Sequence, residues 1–150
     1  MKKMQLIVAG ILLTMTSMAQ KDPVHFAYRA EKIDAKTYAI HITANIEEGW
    51  HIYSQNQPKQ HISQPTKIAF KSNPLFVCKG IVLESGDKQK YEDKIADIIQ
   101  YQYGGKVEFV QTVTLKSAAK TTVTGAITYQ ACTEEMCQQP QTIPFSISIE

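Results

Sequence analysis

Apolar and polar positions alternate with a period of two along most of the chain. Val24, Phe26, Tyr28 and Ala30 form one such run, and Tyr38, Ile40, Ile42, Ala44 and Ile46 form a second, with Asp34-Ala35-Lys36 as the turn between them. Successive side chains of a strand point to opposite faces, so runs of this kind predict strands with one face buried. Glu47-Glu48-Gly49 interrupts the second run, and Trp50-His51-Ile52-Tyr53 begins a third strand. A loop rich in Gln, Asn and Pro follows from Ser54 to Pro65. Short strands come next at Lys67 to Phe70 and at Leu75 to Leu83, the latter carrying Cys78. Glu84 to Ala96 is polar and charged without alternation and is expected to be a long excursion above the sheet. Val107, Phe109, Val113 and Leu115 mark a further strand. Alternation returns at Val123, Gly125, Ile127 and Tyr129 and again at Ile143, Phe145, Ile147 and Ile149. No segment has the 3.6-residue period of an amphipathic helix.

Many short strands separated by turn residues predict an all-β domain, an immunoglobulin-like β-sandwich. The inter-sheet cysteine pair of antibody domains is missing. The first residues break the pattern: Met1-Lys2-Lys3 precede an apolar run from Leu6 to Met18 that closes on Ser17-Met18-Ala19. A positive start, a short apolar stretch and small residues at its end predict a secretory signal peptide over 1–19, cleaved after Ala19. The run falls short of the roughly 20 apolar residues of a membrane-spanning helix. The expectation is therefore a single periplasmic domain over 20–150, not inserted in a membrane and monomeric, in a compartment where disulfides persist. Of the 16 basic residues, Lys2 and Lys3 leave with the signal, so 14 basic residues face 14 acidic ones. A formally neutral chain has neither the positive footprint of a nucleic-acid binder nor a polybasic membrane patch.

Candidate chemistry concentrates in Tyr129-Gln130-Ala131-Cys132-Thr133-Glu134-Glu135-Met136-Cys137-Gln138-Gln139-Pro140, which joins the last two alternating runs where a β-hairpin is expected to turn. Cys132 and Cys137 are open to two readings, an exchanging pair or a structural staple. Exchange needs a thiolate with reach, a second thiol to resolve the intermediate, and control of access. Glu134 and Glu135 lie between the cysteines and disfavour a thiolate, which predicts a slow, partner-dependent reagent. As a staple the small loop is inefficient, giving about 2 kcal/mol against about 4 kcal/mol for a Cys78–Cys132 link. Cys78 alternates with Phe76 and Gly80 and is expected to be a buried, inert thiol. His51 and His61, with Met136 and the cysteines, lack the spacing of a zinc motif. His25 and His41 read as ordinary strand residues, and Trp50 and Tyr53 as packing residues at a strand end. No serine–histidine–acid set, phosphate loop or carboxylate pair stands out, and no metal or organic cofactor is expected.

Gly49-Trp50-His51-Ile52-Tyr53-Ser54-Gln55, followed far downstream by the cysteine stretch, resembles the amino-terminal periplasmic domain of the thiol:disulfide interchange protein DsbD. The resemblance runs from about Val24 to Ile149. Its most specific piece is the tyrosine-glutamine-small-cysteine start, with a second cysteine and a proline shortly after. It implies an immunoglobulin-like sandwich that passes electrons from a thioredoxin-like domain to oxidised exported proteins, as a protein-disulfide reductase component. Carried onto this sequence, it makes Cys132 and Cys137 the redox-active disulfide. Cys137 is then the accessible sulfur that forms the mixed disulfide, and Cys132 the one that resolves it, with Cys78 left as a free thiol. His51 and Tyr53 match positions that line the site. A cap loop is expected within Asp87 to Asp93, with Tyr91 as the shielding aromatic where the family commonly has phenylalanine. As a stand-alone domain, the chain is expected to receive electrons from a separate thioredoxin-like protein. The contrary expectation is a secreted binding or assembly module whose hairpin disulfide is purely structural.

Overall fold

The computed structural model describes residues 22–117 and 120–150, so the expected signal peptide and its cleavage point lie outside the described residues. Nine strands follow in order: β1 (Val24–Lys32), β2 (Thr37–Ile46), β3 (His51–Tyr53), β4 (Lys67–Phe70), β5 (Phe76–Asp93), β6 (Ile98–Leu115), β7 (Thr121–Tyr129), β8 (Ala131–Cys132) and β9 (Gln141–Ile149). Two antiparallel sheets result, one of six strands and one ordered β4-β7-β9, and they make an immunoglobulin-like sandwich.

β6 is the spine of the larger sheet. β5 runs along one edge of β6, from Phe76 opposite Leu115 to Asp93 opposite Ile98. The other edge of β6 is shared. β2 pairs with it from Thr37 opposite Thr114 to Asn45 opposite Lys106, and β3 takes over with His51 opposite Gly104. Between them the chain makes a tight turn in which the Trp50 N–H donates to the Glu47 carbonyl at 3.1 Å. Gly105, at φ 66°, takes the matching kink in β6, a left-handed conformation that suits glycine. One end of this sheet therefore reads β1-β2-β6-β5 and the other β8-β3-β6-β5.

The sequence alternation reappears as burial. Tyr38, Ile40, Ile42, Ala44 and Ile46 of β2 meet Val107, Phe109, Val113 and Leu115 of β6 in a core that also takes Val123, Ile127 and Tyr129 of β7 and Phe145, Ile147 and Ile149 of β9. Each large apolar side chain buried this way stabilises the fold by about 1.5–3 kcal/mol. Aromatic pairs join the layers: Phe26 meets Tyr129 edge-on with ring centres 5.1 Å apart, and Tyr28 stacks on Phe145 at 5.9 Å. A Cβ on Gly125 would lie 2.4 Å from both the Ala69 carbonyl oxygen and the Phe145 ring, so glycine alone lets β4 and Phe145 close over β7.

Three sequence expectations change. The polar segment from Glu84 is no loop: β5 continues through it to Asp93 and pairs with the start of β6, making a two-stranded arm turned at residues 94–97. Ladder hydrogen bonds make it a strand, and apolar alternation is lost because most of its side chains meet solvent rather than a core. Next, β7 and β9 pair from Thr121 opposite Ile149 to Tyr129 opposite Gln141, so the cysteine stretch does join their ends as expected, but it is more than a plain turn. It leaves the small sheet and adds β8 to the large one, with Cys132 opposite His51 and Ala131 opposite Ile52. Lastly, Cys78 is an exposed free thiol, not a buried one, because β5 is an edge strand.

Candidate functional site

Register decides what meets at the β8-β3-β6-β5 end. Residues directly opposite each other share a face, as do alternate residues along a strand. His51 lies opposite both Gly104 and Cys132, Tyr53 opposite Gln102, and Tyr91 opposite Gln100. Cys132, His51, Tyr53, Gln102, Gln100, Tyr91 and Ile98 thus stand on one face. Ile52, Tyr103 and Ala131 point the other way into the core. The site is built on the back of the core, from residues that strand pairing alone aligns.

The cysteine stretch is a closed turn. The Thr133 N–H donates to the Met136 carbonyl at 2.8 Å, and Thr133 Oγ1 accepts from the Glu135 and Met136 N–H groups at 3.2 and 3.1 Å. The Gln138 N–H donates back to the Ala131 carbonyl at 2.9 Å, and Gln130 Nε2 donates to the Gln138 carbonyl at 3.1 Å. A disulfide joins Cys132 to Cys137 across this turn. Its two ends differ sharply: Cys132 is 0% exposed, whereas Cys137 lies open at the surface.

Cys137 opens onto a cleft of about 590 Å³. Met136 and Cys137 form one wall, His51 and Tyr53 line its β3 side, and Tyr91 and Ile98 of the arm stand with them around it. Tyr91 is 46% exposed. Glu134 and Glu135 of the turn also line the cleft, as do Ile62 and Ser63 from the polar loop after β3. That loop is held by side chains. Gln100 Oε1 accepts from Ser63 N–H at 3.1 Å, Ser63 Oγ at 2.7 Å and Ile62 N–H at 3.4 Å. Gln57 acts as a substitute strand, donating to the Ser54 and Tyr101 carbonyls and accepting from the Tyr101 N–H at 2.9 Å. Glu84, with a side chain only 5% exposed, accepts from Ser54 Oγ and from the Gln55 N–H at 2.9 Å, and it pairs with Lys88 at 2.7 Å.

Electrostatics follow from these neighbours. Burial holds the His51 imidazole below its ordinary pKa, and Glu134 acts against that shift. The His51 Nε2 lies 3.2 Å from the Tyr53 hydroxyl. Burial works to raise the Glu84 carboxyl, but Lys88, Ser54 and the Gln55 N–H outweigh it and hold the pKa below the usual range. Partial burial pushes the Cys78 thiol up, away from the thiolate, so Cys78 is not an activated nucleophile.

The five residues singled out from the sequence, His51, Tyr53, Tyr91, Cys132 and Cys137, come together: Cys137 lines the cleft with the first three, and Cys132 is its disulfide partner. His61 turns instead to the Pro58 carbonyl, with its Nδ1 at 2.7 Å. Among the described residues, no group of three or more His, Cys, Asp or Glu is placed to hold a metal. Gln57, Gln100 and Glu84 escaped sequence reading. Their only signal was the glutamine-rich loop and polar residues at alternate positions of β6, Gln100 and Gln102, where a core strand would be apolar.

Fold and site define a class: an immunoglobulin-like domain carrying a disulfide, buried at one sulfur and open at the other, on one end of its larger sheet. The family model described as "Thiol:disulfide interchange protein DsbD, N-terminal" matches residues 16–148, and the chain belongs to this family, whose domains transfer reducing equivalents through a cysteine pair. Solved structures agree on the fold. The DsbD amino-terminal domain of Neisseria meningitidis in its reduced form is 18% identical at a TM-score of 0.53, over 82% of this chain and 84% of that one. The amino-terminal periplasmic domain of ScsB from Proteus mirabilis is 16% identical at 0.57, over 89% of this chain and 48% of that one. The yeast GGA1 GAE domain, at 10% identity and 0.51 over 87% of this chain and 96% of that one, shares the sandwich as well. The fold by itself therefore does not fix the chemistry. No curated protein matches the chain by sequence.

Proposed function

We propose that the chain is an exported thiol–disulfide interchange module that takes electrons from a thioredoxin-like protein and hands them to oxidised exported proteins. The carrying observation is the asymmetry of one disulfide: Cys132 is sealed and Cys137 opens onto a cleft. An incoming thiolate has access to one sulfur only, so Cys137 enters the mixed disulfide and Cys132 is the leaving and resolving group. Tyr91 stands over the cleft as the shielding aromatic, and no metal or organic cofactor takes part. Export rests on the signal peptide over 1–19, cleaved after Ala19, and residues 20–150 act as one monomeric domain. No helix among the described residues is long and apolar enough to cross a membrane.

Removing the resolving thiol tests this. With an exported thioredoxin-like protein supplied, Cys132→Ala accumulates a mixed disulfide through Cys137, seen as a reducible band on non-reducing gels. Cys137→Ala, which leaves only the buried sulfur, accumulates far less. Both variants stay folded, losing about 2 kcal/mol of loop-closure stabilisation. Folded variants that trap nothing make the disulfide a structural staple in a binding module.

A further inference from the structure

We propose that His51 is the proton acceptor and charge partner of Cys132, so that the sealed sulfur can serve as a thiolate. The inference rests on the exchange reading above and adds a residue role to it. Cys132 is wholly enclosed, and enclosure in a low-dielectric surrounding disfavours a thiolate, the one form in which sulfur attacks. A resolving cysteine in that position needs a base beside it. The antiparallel ladder puts His51 directly opposite Cys132 on the same face, and His51 also lines the cleft that holds Cys137.

The groups facing His51 fit this role. Tyr53 of β3 has its hydroxyl 3.2 Å from Nε2 and edges against the imidazole with ring centres 5.3 Å apart, fixing the ring. From the turn, Glu134 favours the imidazolium, and Glu135 lines the same cleft. The arm contributes Tyr91, and β6 contributes the uncharged Gln100 and Gln102. While the disulfide is closed there is no thiolate, and burial favours the neutral imidazole, the form that accepts a proton. Once a negative sulfur stands beside it, attraction between opposite charges favours the imidazolium.

In reduction, the donor's thiolate attacks Cys137 Sγ. A donor–Cys137 S–S bond forms, the Cys132–Cys137 bond breaks, and the electron pair leaves on Cys132, which is protonated by way of His51 with a proton drawn from solvent. The donor's second thiolate then attacks its own half of the mixed disulfide and releases Cys137, so two electrons enter this chain and the donor is oxidised. In delivery, Cys137 thiolate attacks the acceptor's disulfide and expels one acceptor thiolate. The Cys132 proton passes to His51, and Cys132 thiolate attacks Cys137 Sγ. That closes the disulfide, expels the second acceptor thiolate, which leaves the acceptor reduced, and His51 returns its proton to solvent.

A small disulfide isolates the resolving step. Reduced protein in a Cys78→Ser background is mixed with 5,5′-dithiobis(2-nitrobenzoate), which releases one chromophore when Cys137 attacks and a second when Cys132 resolves. With His51→Gln, the first phase is expected to stay within about twofold, while the second slows by about tenfold or more at pH 7. The gap should close at alkaline pH, where Cys132 ionises without help. Both phases unchanged, or both slowed equally, overturns the proposal, the latter because it marks a packing defect. A measurement on the unsubstituted protein needs no variant to fold: the His51 ring protons, followed by NMR, should titrate at higher pH in the dithiol form than in the disulfide form, and equal titration overturns the role. Neither experiment contains a protein partner. Failed trapping by Cys132→Ala therefore counts against the exchange reading, and an unaltered second phase counts against His51 alone.

Discussion

The two ends of the larger sheet are built on the same spine yet held by different forces. At the β1-β2-β6 end, β2 and β6 present isoleucine, valine and phenylalanine to the small sheet, and the residues between them face out. At the β8-β3-β6-β5 end, the outer face buries Gln100 beside Cys132 and Tyr53, under a loop fixed by side-chain hydrogen bonds. Apolar burial is non-directional and adds up over area. Hydrogen bonds hold only in one geometry, and each contributes about 0.5–1.5 kcal/mol net. The body is accordingly expected to carry most of the stability and the site most of the geometric precision, so that the site should open before what lies beneath it unfolds.

The largest effect should come from the body. Phe109 is wholly buried in the core, on the strand that both ends share. Truncation to alanine is expected to cost about 3–5 kcal/mol, the range for buried aromatic residues. Urea unfolding of the oxidised protein would measure it. A loss under about 1 kcal/mol would mean that the body is not where the stability lies.

An intermediate effect is expected at the seam between loop and arm, and it is pH-dependent. The folded pKa of Glu84 is depressed from its ordinary value of 4.5. Its contribution is therefore fully present above that value and is lost as pH falls through the folded pKa. Acidification below 4.5 should free Ser54 and the Gln55 N–H before the core gives way. Amide hydrogen exchange at Gln55 should then rise more steeply toward low pH than exchange in β7. Glu84→Gln should flatten that dependence; a variant as acid-sensitive as the parent would move the seam elsewhere.

The same contrast governs what could be read from the sequence. Alternation in β2, β7 and β9 was legible because a buried face forces a two-residue period in hydrophobicity. The cysteine pair, His51 and Tyr53 were legible through the motifs around them. The arm was not, because β5 beyond Glu84 has solvent on most of its side chains and its pairing with β6 leaves no mark on hydropathy. Nor was the change of sheet at β8. Two residues that pair with β3 carry too little pattern to separate them from a hairpin turn. Gln57 and Gln100 look like loop and strand filler until the backbone groups they satisfy are known.

The smallest expected effect on stability, and the sharpest on access, belongs to Tyr91. It sits on the arm opposite Gln100, about half exposed, with its ring at the cleft that Cys137 shares. Its backbone stays in the β5–β6 ladder whatever the side chain is, so Tyr91→Ala removes a cover and keeps the arm. The arm's other anchors, the Glu84–Lys88 pair and Lys88 against the Tyr101 and Tyr103 rings, are untouched. Unfolding should shift by no more than about 0.5 kcal/mol, as for surface positions generally. Reaction of the reduced protein with a small thiol reagent should nonetheless quicken at Cys137, read by mass spectrometry of the labelled peptide. An unchanged labelling rate would show that the cleft is open without help from Tyr91 and that control of access lies in the loop at Ile62 and Ser63. A large loss of stability would instead show that the arm is part of the body, and the division drawn between the two ends of the sheet would fall.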